Sequence, residues 1–346
     1  MSQNQMRGVH FNGSINLSST SAVFNNVPRL LPQRLRRIPD GETGKRDYFI
    51  SWQLENFSAA PEIVIVMDFE NQKFDFGPPS LSSSEVATSL AKLGEINARY
   101  HEHALESYDI FRQKKAEGII PKDVRFQVCI PGLVNVMSLI TTPFKRAIEP
   151  LYEKALLHSL QVIQDSIPHS ELAVQVDVAI EIAALENVPF WPIYIPEPLL
   201  EGIITRLARF SNHVAEGVEL GFHLCYGDLF HRHFIEPRDL GLLVQVSNEL
   251  RRNITRPIQW IHMPVPKDRK DAKYFEPLKG LEWKVPELYL GLVHPFDEEG
   301  TAERIEAAKV VVEEFGVATE CGMGRMGKEE FATVMEILRA ISGSAV

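Results

Sequence analysis

His223 and Cys225 stand two residues apart in Glu219-Leu-Gly-Phe-His-Leu-Cys-Tyr-Gly-Asp228. The stretch reads as a short buried strand running into a tight turn. On a strand, both side chains point to one face. Imidazole and thiolate together suit zinc, a borderline-soft ion that accepts nitrogen and sulfur ligands. Two ligands do not complete a site. The best supplier of a third is Cys321, in Ala318-Thr-Glu-Cys-Gly-Met-Gly-Arg325, at the exit of another strand. Gly227, Gly322 and Gly324 follow the thiols closely, which lets backbone and ligand approach each other. The plainer alternative is core packing, because free cysteine is among the most buried residue types.

Other polar residues interrupt apolar runs in a similar way. Leu172-Ala-Val-Gln-Val-Asp-Val-Ala-Ile180 is an almost wholly apolar strand with one acid, Asp177. A carboxylate there costs several kcal/mol (on the order of) to bury unless it is paired or faces a ligand. A structural ion pair is the alternative to a site role. Leu35–Ile38 reads as a short strand running into Asp40, Gly41, Glu42 and Gly44. Loops so dense in glycine and charge often hold a ligand, and a solvated turn is the competing reading. Ser14 lies at the C-terminal end of a first strand at Gly8–Ile15, where plain turn chemistry also suffices. His262 and His294 lie near the ends of two later strands. Cys129 falls inside its strand and reads as core.

These residues need elements to position them. Eight strands are expected: 8–15, 35–38, 124–131, 172–180, the His223 strand, 258–264, 288–295 and 317–321. Helices lie between them, at about 84–118, 143–167, 201–216, 237–253, 300–315 and 328–341, with a shorter one at 48–56. Within the first of these, His101 and His103 cannot share a helix face and read as surface residues. A strongly β-forming stretch at 61–69, with a return at 71–76, reads as a hairpin-like insertion after the second strand, over about 58–82. Alternating strands and helices at this spacing fit βαβ units and parallel pairing. The expected fold is α/β: a (β/α)8 TIM barrel, one domain over residues 1–346. Ser14, Glu42, Asp177, His223, Cys225, His262, His294 and Cys321 all fall at strand ends leading into helices. In such a barrel that is the C-terminal face, where sites form.

Composition narrows the partners. The chain has 346 residues, 45% hydrophobic and 24% charged, with a net charge of −10. That balance argues against a nucleic-acid surface, which needs a basic footprint. No run of 18 apolar residues is present, so no transmembrane helix is expected. Met1–Arg7 lacks the apolar core of a secretory signal. Three cysteines in so long a chain suit a reducing compartment, most simply the cytoplasm. Oligomeric state is left open.

The motifs, taken in order, resemble the catalytic barrel of cobalamin-independent methionine synthase, within the uroporphyrinogen decarboxylase/methionine synthase-like superfamily. Its zinc-binding His-x-Cys strand end is similar to His223-Leu-Cys225, and its later Asp-Cys-Gly turn to Glu320-Cys321-Gly322. Its opening Gly-Ser resembles Gly13-Ser14. Its Gly-Glu turn, followed by an acid and an aromatic helix start, resembles Gly41-Glu42 through Asp47-Tyr48-Phe49. Its Asp-bearing strand, which holds the substrate amine, resembles Val174-Gln-Val-Asp177. Val293-His-Pro resembles its seventh strand end. The sequence departs from the pattern in three ways. The remaining zinc ligand, a Glu on the sixth strand, is missing around Ile261-His262-Met263; His262, Asp228, Glu320, His294 or water are the candidates to replace it. Asp177-Val-Ala stands for Asp-Glu-Pro. The amino-terminal barrel of full-length enzymes has no counterpart, as in short single-barrel relatives whose methyl donors and substrates vary.

The resemblance implies zinc held by His223, Cys225 and Cys321, with His262. It implies alkyl transfer, most simply of methyl, to a substrate thiol activated as a zinc thiolate. Ser14, Glu42 and Asp177 would bind the small-molecule substrate, the two acids taking a cationic group such as an amine. His294 would carry a proton. Two alternatives stand beside this. A zinc-dependent hydrolase or lyase could use an open metal position for water. A non-catalytic relative could bind a small molecule alone.

Overall fold

Short runs of Val, Ile and Leu form the strands, which are, in chain order, β1 (Arg37–Pro39), β2 (Val66–Asp68), β3 (Lys73–Asp75), β4 (Arg125–Pro131), β5 (Leu172–Val178), β6 (Glu219–Leu224), β7 (Trp260–Pro264), β8 (Glu287–Val293) and β9 (Gly316–Thr319). The structure is a computed structural model that describes residues 7–68, 73–78, 80–188, 192, 194–227 and 232–345. Seven strands pair in parallel in the order β1-β4-β5-β6-β7-β8-β9. The sheet curls until both edges meet one segment: Val9 bridges Leu35 beside β1 and Val317 in β9, in parallel with each. This is a TIM-barrel-like fold. Parallel strands covered on both faces need almost continuous apolar sequence, and β5 is buried at every position. The covering helices are amphipathic. In Leu199–Ser211, for example, Ile203, Ile204, Leu207 and Ala208 recur at helical spacing and are buried.

The hairpin β2–β3 is antiparallel, with Met67 opposite Phe74. It forms the expected insertion after the second barrel strand. Its base is stitched to the segment after β4: Ile65 N donates to Leu139 O at 2.9 Å and Thr141 N to Ile63 O at 2.7 Å.

Inside the barrel, size is matched by hand-in-glove choices. A Cβ on Gly221 would fall 1.9 Å from the Trp260 ring, so glycine is what lets the indole fill the interior. His10 stacks on Tyr289 with ring centroids 4.9 Å apart. Below them Arg37, 2% exposed, closes the floor.

Several local expectations change. The first strand is present only as isolated bridges at Val9 and Ile15, because Gly8 and Gly13 adopt left-handed backbone that interrupts regular pairing. The helix expected over 84–118 is two, Ser83–Leu90 and Tyr100–Ala116. Between them Asn97 Oδ1 accepts from Arg99 N, and Arg99 has φ 57°, a turn that no continuous helix can contain. The aromatic segment after Glu42 forms a 3-10 helix at Ser51–Phe57 rather than an α-helix from Tyr48. His101 and His103 are half-buried, not on the surface. His101 bonds Ser159 Oγ at 2.9 Å, and His103 meets the edge of Trp52 at 5.2 Å.

Candidate metal centre and acidic pocket

Strand register brings the first three residues together. Asp177 on β5 lies opposite His223 on β6, and His223 opposite His262 on β7. Cys225 follows the end of β6, where its N–H still donates to Val178 O at 2.9 Å. Cys321 arrives from the turn after β9. That turn is fixed by Thr319 Oγ1 donating to Cys321 O at 2.7 Å, and by Ser14. Ser14 O accepts from Met323 N at 2.7 Å and its Oγ from Gly324 N at 3.1 Å. A Cβ on Gly322 would meet Ser14 Oγ at 2.4 Å, so this contact needs glycine.

The ligand atoms of His223, Cys225 and Cys321 lie within 4.8 Å of one another. The two sulfurs are 3.8 Å apart, and Cys321 Sγ is 3.8 Å from His223 Nε2. Tetrahedral zinc, with Zn–S near 2.3 Å, requires an S···S edge of about 3.8 Å and an S···N edge of roughly 3.5 Å. The donor set suits zinc, and the two edges that meet at Cys321 come within a few tenths of an ångström of that spacing.

His262 stands behind this cluster. Its Nδ1 is 2.7 Å from His223 Nδ1, and its Nε2 is 3.1 Å from Thr319 O. Asn12 Nδ2 also donates to that carbonyl, at 3.0 Å. Burial, and after it the charge of His223, pushes His262 well below the usual imidazole range, so it carries one ring proton. The carbonyl claims that proton at Nε2. Nδ1 of His262 then accepts from the Nδ1–H of His223. That fixes the His223 tautomer and leaves its Nε2 lone pair free on the side of Cys321.

The acids sit beside the cluster. Gly41 and Glu42 have φ of 82° and 45°, a turn that aims the Glu42 side chain inward. A Cβ on Gly13 would be 2.9 Å from Glu42 Oε2. The neighbouring cation does not bond Glu42: Arg46 Nη2 pairs with Asp40 Oδ2 at 2.6 Å. Burial pushes the Glu42 carboxyl up to about 8, Arg46 opposing and Asp40 adding to the rise. Asp177, 4% exposed, is pushed well above the carboxylate range by burial and then by the charge of Glu42. Its partner is Gln175, whose Nε2 donates to Asp177 Oδ1 at 2.8 Å and whose Oε1 faces His10 Nε2 at 2.6 Å. Cys129 is buried below the acids, against Gln127 and Gln175. Among the described residues no cation bonds either carboxyl, and an ammonium group placed between them would let both ionise.

Ser14, Glu42, Asp177, His223, Cys225 and Cys321 all line one cavity of about 160 Å³. His262 lies outside it. His294 lines a second cavity of about 460 Å³, which shares the two thiols with the first. There His294 Nε2 donates to Val265 O at 2.9 Å, and its Nδ1 is 3.9 Å from Glu320 Oε2. Burial lowers His294 to about 4. Asp228 is outside the described residues. Some site residues carried no sequence signal. Asn12 and Gln175 act through hydrogen bonds that only the closed barrel brings about. Met67, Phe74 and Phe234 reach the first cavity from the insertion and from the segment after the His-x-Cys turn. Arg325 lines both cavities from just beyond Cys321.

No protein-family model matches the chain, and no curated protein is similar to it in sequence. Solved structures do match. A putative vitamin-B12-independent methionine synthase from Listeria monocytogenes is 14% identical, with 97% of each chain covered and a TM-score of 0.55. A B12-independent methionine synthase from Shewanella sp. W3-18-1, in complex with selenomethionine, is 12% identical over 97% of this chain and 96% of its own, with a TM-score of 0.58. A methyltransferase from Methanosarcina mazei is 14% identical over 97% and 94%, with a TM-score of 0.52. What this chain shares with all three, along nearly its whole length, is the fold.

Proposed function

We propose that the chain is a zinc-dependent transferase that moves an alkyl group, most simply methyl, onto the thiol of a small substrate bearing an amine. The carrying observation is the His223–Cys225–Cys321 cluster, spaced for tetrahedral zinc and opening into the same cavity as Glu42 and Asp177. Zinc there would supply the positive charge that keeps a substrate thiol deprotonated at neutral pH. His223 Nε2 and the two cysteine sulfurs would hold the ion, which with three protein ligands could still accept a substrate thiol. His262 orients His223 and does not ligate. Glu42 and Asp177 take the ammonium group, which fixes the direction of the thiol. Ser14 holds the Cys321 turn against the cavity. His294, neutral at pH 7, has Nδ1 free of backbone bonds and accepts a proton on the far side of the thiols. The names of the solved structures that share the fold, two methionine synthases and a methyltransferase, support the transferase reading.

Elemental analysis of the purified protein beside Cys225→Ser and Cys321→Ser tests this. Near-stoichiometric zinc in the wild type, lost in both variants together with thiol-dependent turnover, is the expected result. Absence of metal after zinc reconstitution would overturn the reading. Turnover that needs zinc but no thiol would move the chemistry to hydrolysis or elimination at the same centre.

A further inference from the structure

Glu42 and Asp177 stand at the base of the first cavity, and Asp47 and Arg325 also line it. Its mouth is otherwise largely apolar, and part of the wall there belongs to the insertion. In the hairpin, Met67 and Phe74 are the directly opposed pair, and both line the cavity. Strand alternation sends the neighbouring pairs, Val66 with Asp75 and Asp68 with Lys73, to the other face. Val66 is accordingly 65% exposed. Phe76 stacks behind Phe74 with centroids 6.1 Å apart. The backbone pairing of Val64 with Ile140 holds the hairpin base to the barrel.

Another part of the wall comes from the turn that carries Glu42. Tyr48 lines the cavity yet is 58% exposed. Phe49 beside it has φ 53°, a left-handed conformation that costs a bulky side chain about 1–2 kcal/mol. Aromatic surface is thus left open to water, and backbone strain tolerated, at a cavity that also holds Glu42, Asp177 and the two thiols. A bare aminothiol would cover the base and leave this mouth empty.

We propose that the acceptor is an aminothiol carrying an aromatic or branched apolar group, which lies between the Met67–Phe74 pair and Tyr48–Phe49. The amine sits on Glu42 and Asp177, the thiol at the His223–Cys225–Cys321 cluster, and the apolar group in the mouth. The thiol part of this assignment rests on the zinc reading above; the apolar part rests on the hairpin.

The test separates the two. Calorimetric titration with 2-phenylethylamine and ethylamine reads the wall without using the metal. A cobalt(II)-loaded sample, titrated with a phenyl-bearing aminothiol and with cysteamine, reads the thiol through the cobalt spectrum. The ring-bearing member of each pair binds at least about tenfold tighter, as expected for burying a ring of this size. In Met67→Ala/Phe74→Ala the preference collapses to within about threefold, whereas Val66→Ala, on the outer face, keeps it. Retained cobalt stoichiometry shows that the double variant is folded. Equal affinities in the wild type, or a preference that survives in the double variant, would overturn the apolar assignment. A preference seen with the amines but no cobalt binding would remove the zinc reading and leave the wall standing.

Discussion

The two ends of the barrel treat charge in opposite ways. At the floor, Arg37 is buried and its guanidinium reaches Glu219 Oε2 and Glu287 Oε2, each at 2.9 Å, while lying 4.1 Å over the Trp260 ring. Arg125 adds a second cation to Glu219 at 3.0 Å. Opposite charges meet, and burial of the Glu287 carboxyl is outweighed so that it ionises more easily than usual. At the mouth of the barrel, beneath the apolar mouth of the cavity, like groups meet. Burial raises the proton affinity of Glu42 and Asp177, and the charge of Glu42 adds to the rise at Asp177, in the same cavity as two thiols 3.8 Å apart. The floor pairs its charges as folded, whereas the acids at the other end are held toward their protonated forms. The same scaffold thus keeps paired charges and the candidate site at opposite ends, as expected of a βα barrel.

Breaking the floor gives the largest expected effect on stability. Arg37→Met leaves Glu219 and Glu287 facing each other with only their outer cations, at a cost of about 3 kcal/mol. The urea midpoint falls accordingly, while zinc per folded chain is unchanged. Replacing Arg37, Glu219 and Glu287 together by apolar residues recovers most of that loss. A single variant as stable as wild type would show that the floor is not where the barrel is held.

At the mouth, the next effect falls on the metal. His262→Ala removes the acceptor that holds the His223 tautomer, and zinc affinity falls about 10–100-fold in competition with a chelator. His262→Gln, whose carbonyl oxygen can accept the same N–H, restores part of it. An unchanged affinity in His262→Ala would mean that His223 needs no orientation.

The same contrast explains what the sequence made legible. Periodicity in apolar runs found the strands, the parallel barrel and the insertion, because burial on both faces leaves a mark at each position. His223, Cys225 and Cys321 were visible because cysteine and histidine at strand ends are chemically distinctive. The place of His262 was not, since it depends on which neighbour bonds each ring nitrogen, and sequence carries no such information. The break between residues 90 and 100 was missed for a related reason. Apolar residues on both sides kept helical spacing, while the Asn97–Arg99 turn that divides them is local hydrogen bonding. The apolar mouth was hidden because hairpin register decides that Met67 and Phe74 face inward and Val66 outward.

The pH-dependent effect is the most discriminating, because it asks whether the barrel mouth is strained by its own charges. The Glu42 carboxyl is raised from 4.5 to about 8 in the folded chain. The folded state therefore holds this proton more tightly than the unfolded state. Its contribution to stability is complete below about 4.5 and is lost as pH rises through about 8. Asp177, also raised, acts in the same direction. Glu42→Gln keeps the shape and removes the titration. Urea midpoints of wild type and variant should differ least near the acid end of this window. The wild type should lose ground steadily up to its alkaline end, by on the order of a few kcal/mol. A saturating amine should reverse the trend in the wild type alone, because an ammonium between Glu42 and Asp177 makes their ionised forms the favoured ones. Parallel curves for the two proteins, with and without amine, would mean that the acids at the mouth are already relieved, and that the two ends of the barrel are electrostatically alike.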